Sequence, residues 1–148
     1  MRIRTVKPEF FFDEELTKLP HAVRILFIGM WGLADKEGRM EDRPAFIRAN
    51  VFPYEPDFDA ESALASLAPK FIERYVAEGR ALIWIRNFRN HQRINGKEAD
   101  TTSRYAPAPG EATEKHLGSN GEAMGKHPGT TGSPGMEGKG KGRERGRE

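Results

Sequence analysis

Cysteine is absent from all 148 residues, which excludes disulfides, thiolate nucleophiles and cysteine-held zinc in one step. Such a chain fits a reducing compartment. No apolar run approaches the ~18 residues that a membrane span requires. The opening MRIRTVKPEF carries cations with no apolar stretch behind them, so no signal peptide is expected. The expectation is a soluble, cytoplasmic protein. An excess of one charge is also missing. The net charge is +2, with sixteen Lys/Arg against sixteen Asp/Glu in residues 1–100 and eight against six thereafter. Binding to a polyanion through bulk charge is therefore not expected, and any such affinity has to come from local clustering. Large apolar side chains run out as well. From Lys97 onward only Tyr105, Leu117, Met124 and Met136 remain, while eleven of the sixteen glycines follow Ser103. So little apolar surface does not offset chain entropy, and residues 96–148 are expected to form a disordered Gly-rich tail. Its end, GKGKGRERGRE, either adds non-specific nucleic-acid affinity or has no role.

What is present is concentrated in residues 1–95, which hold both tryptophans and all nine phenylalanines. Residues 1–9 read as an extended basic arm, with Ile3, Thr5 and Val6 alternating with Arg2, Arg4 and Lys7. Phe10 to Leu19 is compatible with one short helix capped by Asp13. Pro20 suits the first turn of the next helix, where Val23, Leu26, Phe27, Met30 and Ala34 keep helical spacing. Gly38 ends it in a tight turn, and Arg39-Met40 offers a brief strand. Asp42 is the expected cap of a second helix, Arg43 to Asn50. Phe52 to Phe58, with two prolines, is an irregular link. Asp57 or Asp59 caps a third helix through Leu67 that keeps Ala60, Ala63, Leu64 and Leu67 on one face.

Phe71 to Ala77 and Arg80 to Asn87 flank Glu78-Gly79, a workable two-residue hairpin turn. Pairing Ala77 with Arg80 puts Ile72, Val76, Ile83 and Ile85 on one face and Tyr75, Leu82 and Trp84 on the other. The first face is expected against the helices. The second is either further core or a contact surface for a protein partner. Three helices and a hairpin over residues 10–95 give an α+β domain, a winged helix-turn-helix, preceded by the arm and followed by the tail.

Four strings in this order, MRIRTVKPEFF, RILFIGMWGLADKEGR, VFPY and WIRNFRNHQRIN, resemble the N-terminal winged-helix domain of phage and prophage replication initiation proteins, the replisome-organiser or DnaD-like group. The resemblance covers residues 1 to about 95. It implies binding to DNA at a replication origin or primosome site, recruitment of the replicative helicase, and a bacterial host cell. A winged-helix transcriptional regulator is the nearest alternative, and an adaptor using Tyr75, Leu82 and Trp84 is one from another class.

In the third helix the exposed positions are Asp59, Glu61, Ser62, Ala65 and Ser66, so arginine reading of guanine from that helix is not expected. The candidate DNA contacts are Arg2, Arg4 and Lys7 on the arm, Arg43 and Arg48 on the second helix, Arg74, Arg80 and Arg86 on the hairpin, and Arg89 and Arg93 after it. Phosphate contacts of this kind position without reading sequence, so weakly specific, salt-sensitive binding to double-stranded DNA is expected. The competing reading pairs these arginines with Glu41, Asp42, Glu73 and Glu78 as a solvated surface.

No enzyme is expected. The chain lacks a GxxxxGK[ST] phosphate loop and a GxSxG elbow. Asp35, Glu37, Glu41 and Asp42 surround Gly38 without the spacing of a calcium loop. His91 in NHQRIN has only His21, His116 and His127 as sequence companions, so neither a metal nor another cofactor is expected.

Overall fold

In a computed structural model, residues 1–118 are described, with side chains through Lys115. The expected tail beyond residue 118 lies outside the described residues. The chain folds as α+β: helices packed on one face of a three-stranded antiparallel sheet.

The first helical region is two single turns, α1 (Glu9–Phe12) and α2 (Glu14–Thr17), where one helix was expected. Asp13 divides them. Its backbone is extended, and its carboxylate accepts from the amides of Glu15 and Leu16, so the cap that starts α2 also ends α1. α3 (His21–Leu33) follows Pro20 and buries Val23, Leu26, Phe27, Met30 and Trp31. A turn closed by the Asp35 carboxylate on the Glu37 and Arg39 amides leads into β1 (Arg39–Glu41). In α4 (Pro44–Val51) the N-cap position belongs to Arg43, not to the expected Asp42, whose carboxylate instead holds Arg74. α5 (Ala60–Leu67) is capped by Asp59, which accepts from the Ser62 amide.

β2 (Ile72–Ala77) and β3 (Arg80–Ile85) pair in the expected register, Ala77 with Arg80 and Tyr75 with Leu82. Glu78 and Gly79 both have positive φ (52° and 70°), which matches the right-handed strand twist of a two-residue hairpin. β1 joins on the other side of β3, giving the order β1-β3-β2. The inner sheet face sends Ile72, Ile83 and Ile85 into one core with Leu26, Met30, Ile47, Leu64 and Leu67. Val76, at the turn end of that face, is left 76% exposed, because the helices stop short of the hairpin tip.

The break expected at residue 95 is not where packing ends. After a turn of helix α6 (Phe88–His91) and a 3-10 turn (Gly96–Glu98), residues 99–110 run as a strap across the outer sheet face into α7 (Glu111–Gly118). Leu82 (1% exposed) and Trp84 (4%) are buried there together with Ala108 (3%), outside the main core. Composition does not reveal such a strap, because polar bonds rather than apolar bulk hold it. Among the described residues no helix is long and apolar enough to cross a membrane.

Candidate nucleic-acid interface

The outer sheet face is closed by the chain itself. Arg39, opposite Trp84 in the β1–β3 register, is buried and donates from Nε and Nη2 to the Glu111 carboxylate at 2.9 and 2.6 Å, and from Nη1 to the Tyr105 carbonyl. The Tyr75 hydroxyl donates to the Ala106 carbonyl at 2.7 Å, and burial pushes its pKa up to about 12. The Glu73 carboxylate accepts from the Gly110 amide, and Trp84 Nε1 donates to the Glu37 carbonyl. Tyr75, Leu82 and Trp84, candidates for docking a partner, thus lie under residues 105–111. The reason is an internal ligand that already satisfies their polar and apolar demands.

The arm is also occupied. Arg4 donates to the Trp31 and Ala34 carbonyls and, through Nη1 and Nη2, to the Glu98 carboxylate at 2.8 and 2.7 Å; its side chain is 7% exposed. Arg2 caps the carbonyls of Leu33 and Ala34 and pairs with Glu98 at 3.1 Å. These guanidiniums satisfy carbonyls that a helix C-terminus leaves free, at the negative end of its dipole. Lys7 donates to the Asn90 carbonyl, and Gln92 exchanges two hydrogen bonds with the Thr5 backbone. The expected free basic arm is therefore docked along the C-terminal end of α3, with Arg2 and Arg4 turned onto protein acceptors.

On the hairpin, Arg74 bridges Asp42 and Glu61 with four hydrogen bonds between 2.6 and 3.0 Å, so its guanidinium fixes α5 to the sheet. The Arg74 hydrogen bond holds the Glu61 carboxyl below its ordinary value. Arg86 donates to Glu114 and to the Pro69 carbonyl, and Arg89 donates to Glu37. Arg80 meets Glu41 at 2.6 Å and lies over the Tyr105 ring. Only Glu41 and Asp42 among these acceptors come from the carboxylates expected to pair; Glu61 shares Arg74 with Asp42, and Glu37, Glu98, Glu111 and Glu114 carry the rest. Their partners lie 28–94 residues away in the chain, a separation that leaves no local signal in the sequence.

Arg80 and Arg89 are held through one nitrogen each, and three candidate arginines are engaged still more weakly. Arg43 sits before α4 with its side chain 63% exposed, 3.6 Å from Glu41 and 5.2 Å over the Phe46 ring. Arg48 gives a single 3.3 Å bond to the Glu55 carbonyl. Arg93 is exposed and makes no side-chain hydrogen bond or ion pair among the described residues. Around α4 stand two aromatics not singled out as contacts from sequence, Phe46 (46% exposed) and Tyr54 (95%). α5 turns Glu61, Ser62, Ala65 and Ser66 outward, and Arg74 offsets the Glu61 charge. No group of three or more metal-ligating side chains gathers among the described residues. The chain matches no protein-family model, no curated protein and no solved structure.

Proposed function

We propose that the chain is a non-enzymatic winged-helix DNA-binding protein acting in phage or prophage replication initiation within the bacterial cytoplasm. The observation that carries this reading is the element order, helix α3, strand β1, helices α4 and α5, hairpin β2–β3, with sheet order β1-β3-β2. In a winged helix this arrangement offers α5 and the hairpin tip to the duplex. α5 is poor in cations, and its Ser62 and Ser66 hydroxyls already donate to the Asp59 carboxylate and the Ser62 carbonyl, so the neighbouring Arg43 and Arg48 make the contact, with Arg80 at the hairpin tip. Phosphate positioning without base reading follows from this donor set. The replicative helicase is the proposed replication partner, in line with the resemblance of residues 1–95 to replisome organisers. A transcriptional regulator shares the scaffold, but no observation favours it.

A salt titration of the 148-residue chain against random duplex DNA tests this reading. About three phosphate contacts correspond to a log–log slope of roughly −3 and a micromolar Kd at low salt. Arg43→Ala with Arg48→Ala is expected to reduce the slope by about 2, whereas Arg2→Ala leaves it unchanged. Absence of binding at low salt would remove the DNA reading.

A further inference from the structure

We propose that the outer sheet face is a peptide-recognition site for an extended, proline-spaced segment ending in Gly-Glu. Residues 105–111 fill it as a displaceable ligand in cis, until a partner protein's segment of the same chemistry takes their place. These residues, YAPAPGE, cross the face without forming a helix or strand until Glu111 begins α7. Each group of the segment meets a group of the sheet suited to it. The Tyr105 carbonyl and the Glu111 carboxylate take the Arg39 guanidinium, and the Ala106 carbonyl takes the Tyr75 hydroxyl. The Gly110 amide donates to Glu73, and the Tyr105 ring lies 5.2 Å from the Arg80 guanidinium carbon. A side chain at position 110 is refused, because its Cβ would collide with the Glu73 carboxylate. Pro107 and Pro109 lack N–H groups, so the segment brings few donors and loses little backbone freedom on docking.

Two observations mark the segment as a ligand rather than a part of the sheet. Among the described residues no main-chain to main-chain hydrogen bond joins residues 99–118 to residues 1–95. Every hydrogen bond across that boundary uses a side chain on at least one side. The main core, from Leu16 to Phe88, takes no residue from 95 onward. Lifting the strap therefore uncovers Leu82 and Trp84 without opening the contact between helices and sheet. Charge selects a peptide as the occupant. The buried Arg39 guanidinium needs an anion, while Glu73 beside it needs an N–H donor. A phosphate strand answers the first and is repelled by the second, whereas a Gly-Glu segment answers both. Of the proposed DNA contacts only Arg80 touches the strap, so failure here leaves the DNA reading in place.

The test starts from the complete chain with a protease site inserted between Thr101 and Thr102, both exposed. A fluorescent synthetic peptide of residues 102–118 is the probe. After cleavage the freed segment is expected to leave on dilution with a micromolar Kd, Trp84 emission moving to the red while far-ultraviolet circular dichroism of the body holds. The peptide is expected to bind the cut, diluted chain and restore the emission, and Gly110→Ala or Glu111→Ala in the peptide weakens it at least tenfold. The uncut chain takes the same peptide at least tenfold more weakly, because its own strap competes at an effective concentration on the order of millimolar. If the insertion disturbs folding, the uncut Glu111→Ala chain serves, its Trp84 emission restored by the wild-type peptide. Loss of helix and sheet signal when the segment leaves overturns the proposal, since the strap is then part of the fold. So does a peptide that binds cut and uncut chains alike, that is indifferent to Gly110 and Glu111, or that the uncut chain excludes at every concentration. A strap exchanged between two copies, seen as a dimer in sedimentation, makes a second copy the occupant and overturns it too.

Discussion

Glu111→Ala is expected to destabilise the protein by about 3–5 kcal/mol, because it leaves the buried Arg39 guanidinium without its counter-charge. The two side chains are 7% and 5% exposed and share two hydrogen bonds at 2.9 and 2.6 Å. Water does not reach the cation without lifting the strap, so the loss should appear as strap release before global unfolding. Trp84 reports it: emission moves to the red as residues 105–111 leave the outer sheet face, while the inner core of Ile72, Ile83 and Ile85 stays folded. Urea denaturation followed by tryptophan emission and by far-ultraviolet circular dichroism checks the order of events. A single coincident transition with an unchanged midpoint would mean that the pair contributes nothing. Replacing both partners together, Arg39→Met with Glu111→Leu, is expected to be near neutral, since no orphaned charge remains.

The same bridge sets an acid limit. Burial raises the Glu111 carboxyl, but the hydrogen bonds and charge of Arg39 outweigh it, so the net shift is downward. The Arg4 hydrogen bonds lower Glu98 in the same direction. A carboxyl depressed in the folded state contributes stability that is complete above its unfolded value near 4.5. That contribution is lost as pH falls through the lower folded value. Stability should therefore be flat from pH 7 to about 5 on account of these groups and decline steeply below about 4.5. A Tm series across that range checks it, and the Glu111→Ala chain should show a shallower decline.

How much of this was legible in the sequence depends on what kind of force holds each part. Periodic burial is local information. The helical spacing of Val23, Leu26, Phe27 and Met30, the Glu78-Gly79 turn and the hairpin register all appear in the structure where the pattern puts them. Polar pairing at long range is not local. Nothing near Arg4 announces Glu98, 94 positions away, and nothing near Arg39 announces Glu111, 72 positions away. Counting apolar side chains made residues 96–118 look like tail, since Tyr105 and Ala108 add little area. Their main-chain and carboxylate groups instead bind donors and acceptors that the sheet already displays. The candidate DNA arginines fail for a related reason. A guanidinium is satisfied by any carboxylate or helix-end carbonyl in reach, and Arg43, Arg48 and Arg93 are left the least engaged, with Arg80 and Arg89 each held through a single nitrogen. The exposure of Phe11 and Phe12 was equally hidden, because the Asp13 cap splits one expected helix into two turns with different outward faces.

Gly38→Ala is expected to cost about 2–5 kcal/mol, from two causes that separate experimentally. The residue joins α3 to β1 at φ +81°, and its carbonyl accepts from the Ile85 amide at 2.8 Å, tying the turn to β3. An L side chain in this backbone region costs roughly 1–2 kcal/mol whatever surrounds it. The added methyl would also stand 2.6 Å from Phe88 Cβ and 2.8 Å from its Cγ, with the Ile85 carbonyl oxygen at 3.2 Å. Phe88 is itself 2% exposed and has no space to retreat, so overpacking adds about 1–3 kcal/mol. Gly79 supplies the control. Its φ is +70°, but nothing lies within 4 Å of a methyl there. Gly79→Ala is thus expected to cost only the conformational part, about 1–2 kcal/mol. Equal midpoints for the two variants in urea would show that Phe88 yields. A loss two to three times larger at Gly38 would show that α6 is clamped against the α3–β1 turn, and with it the origin of the strap.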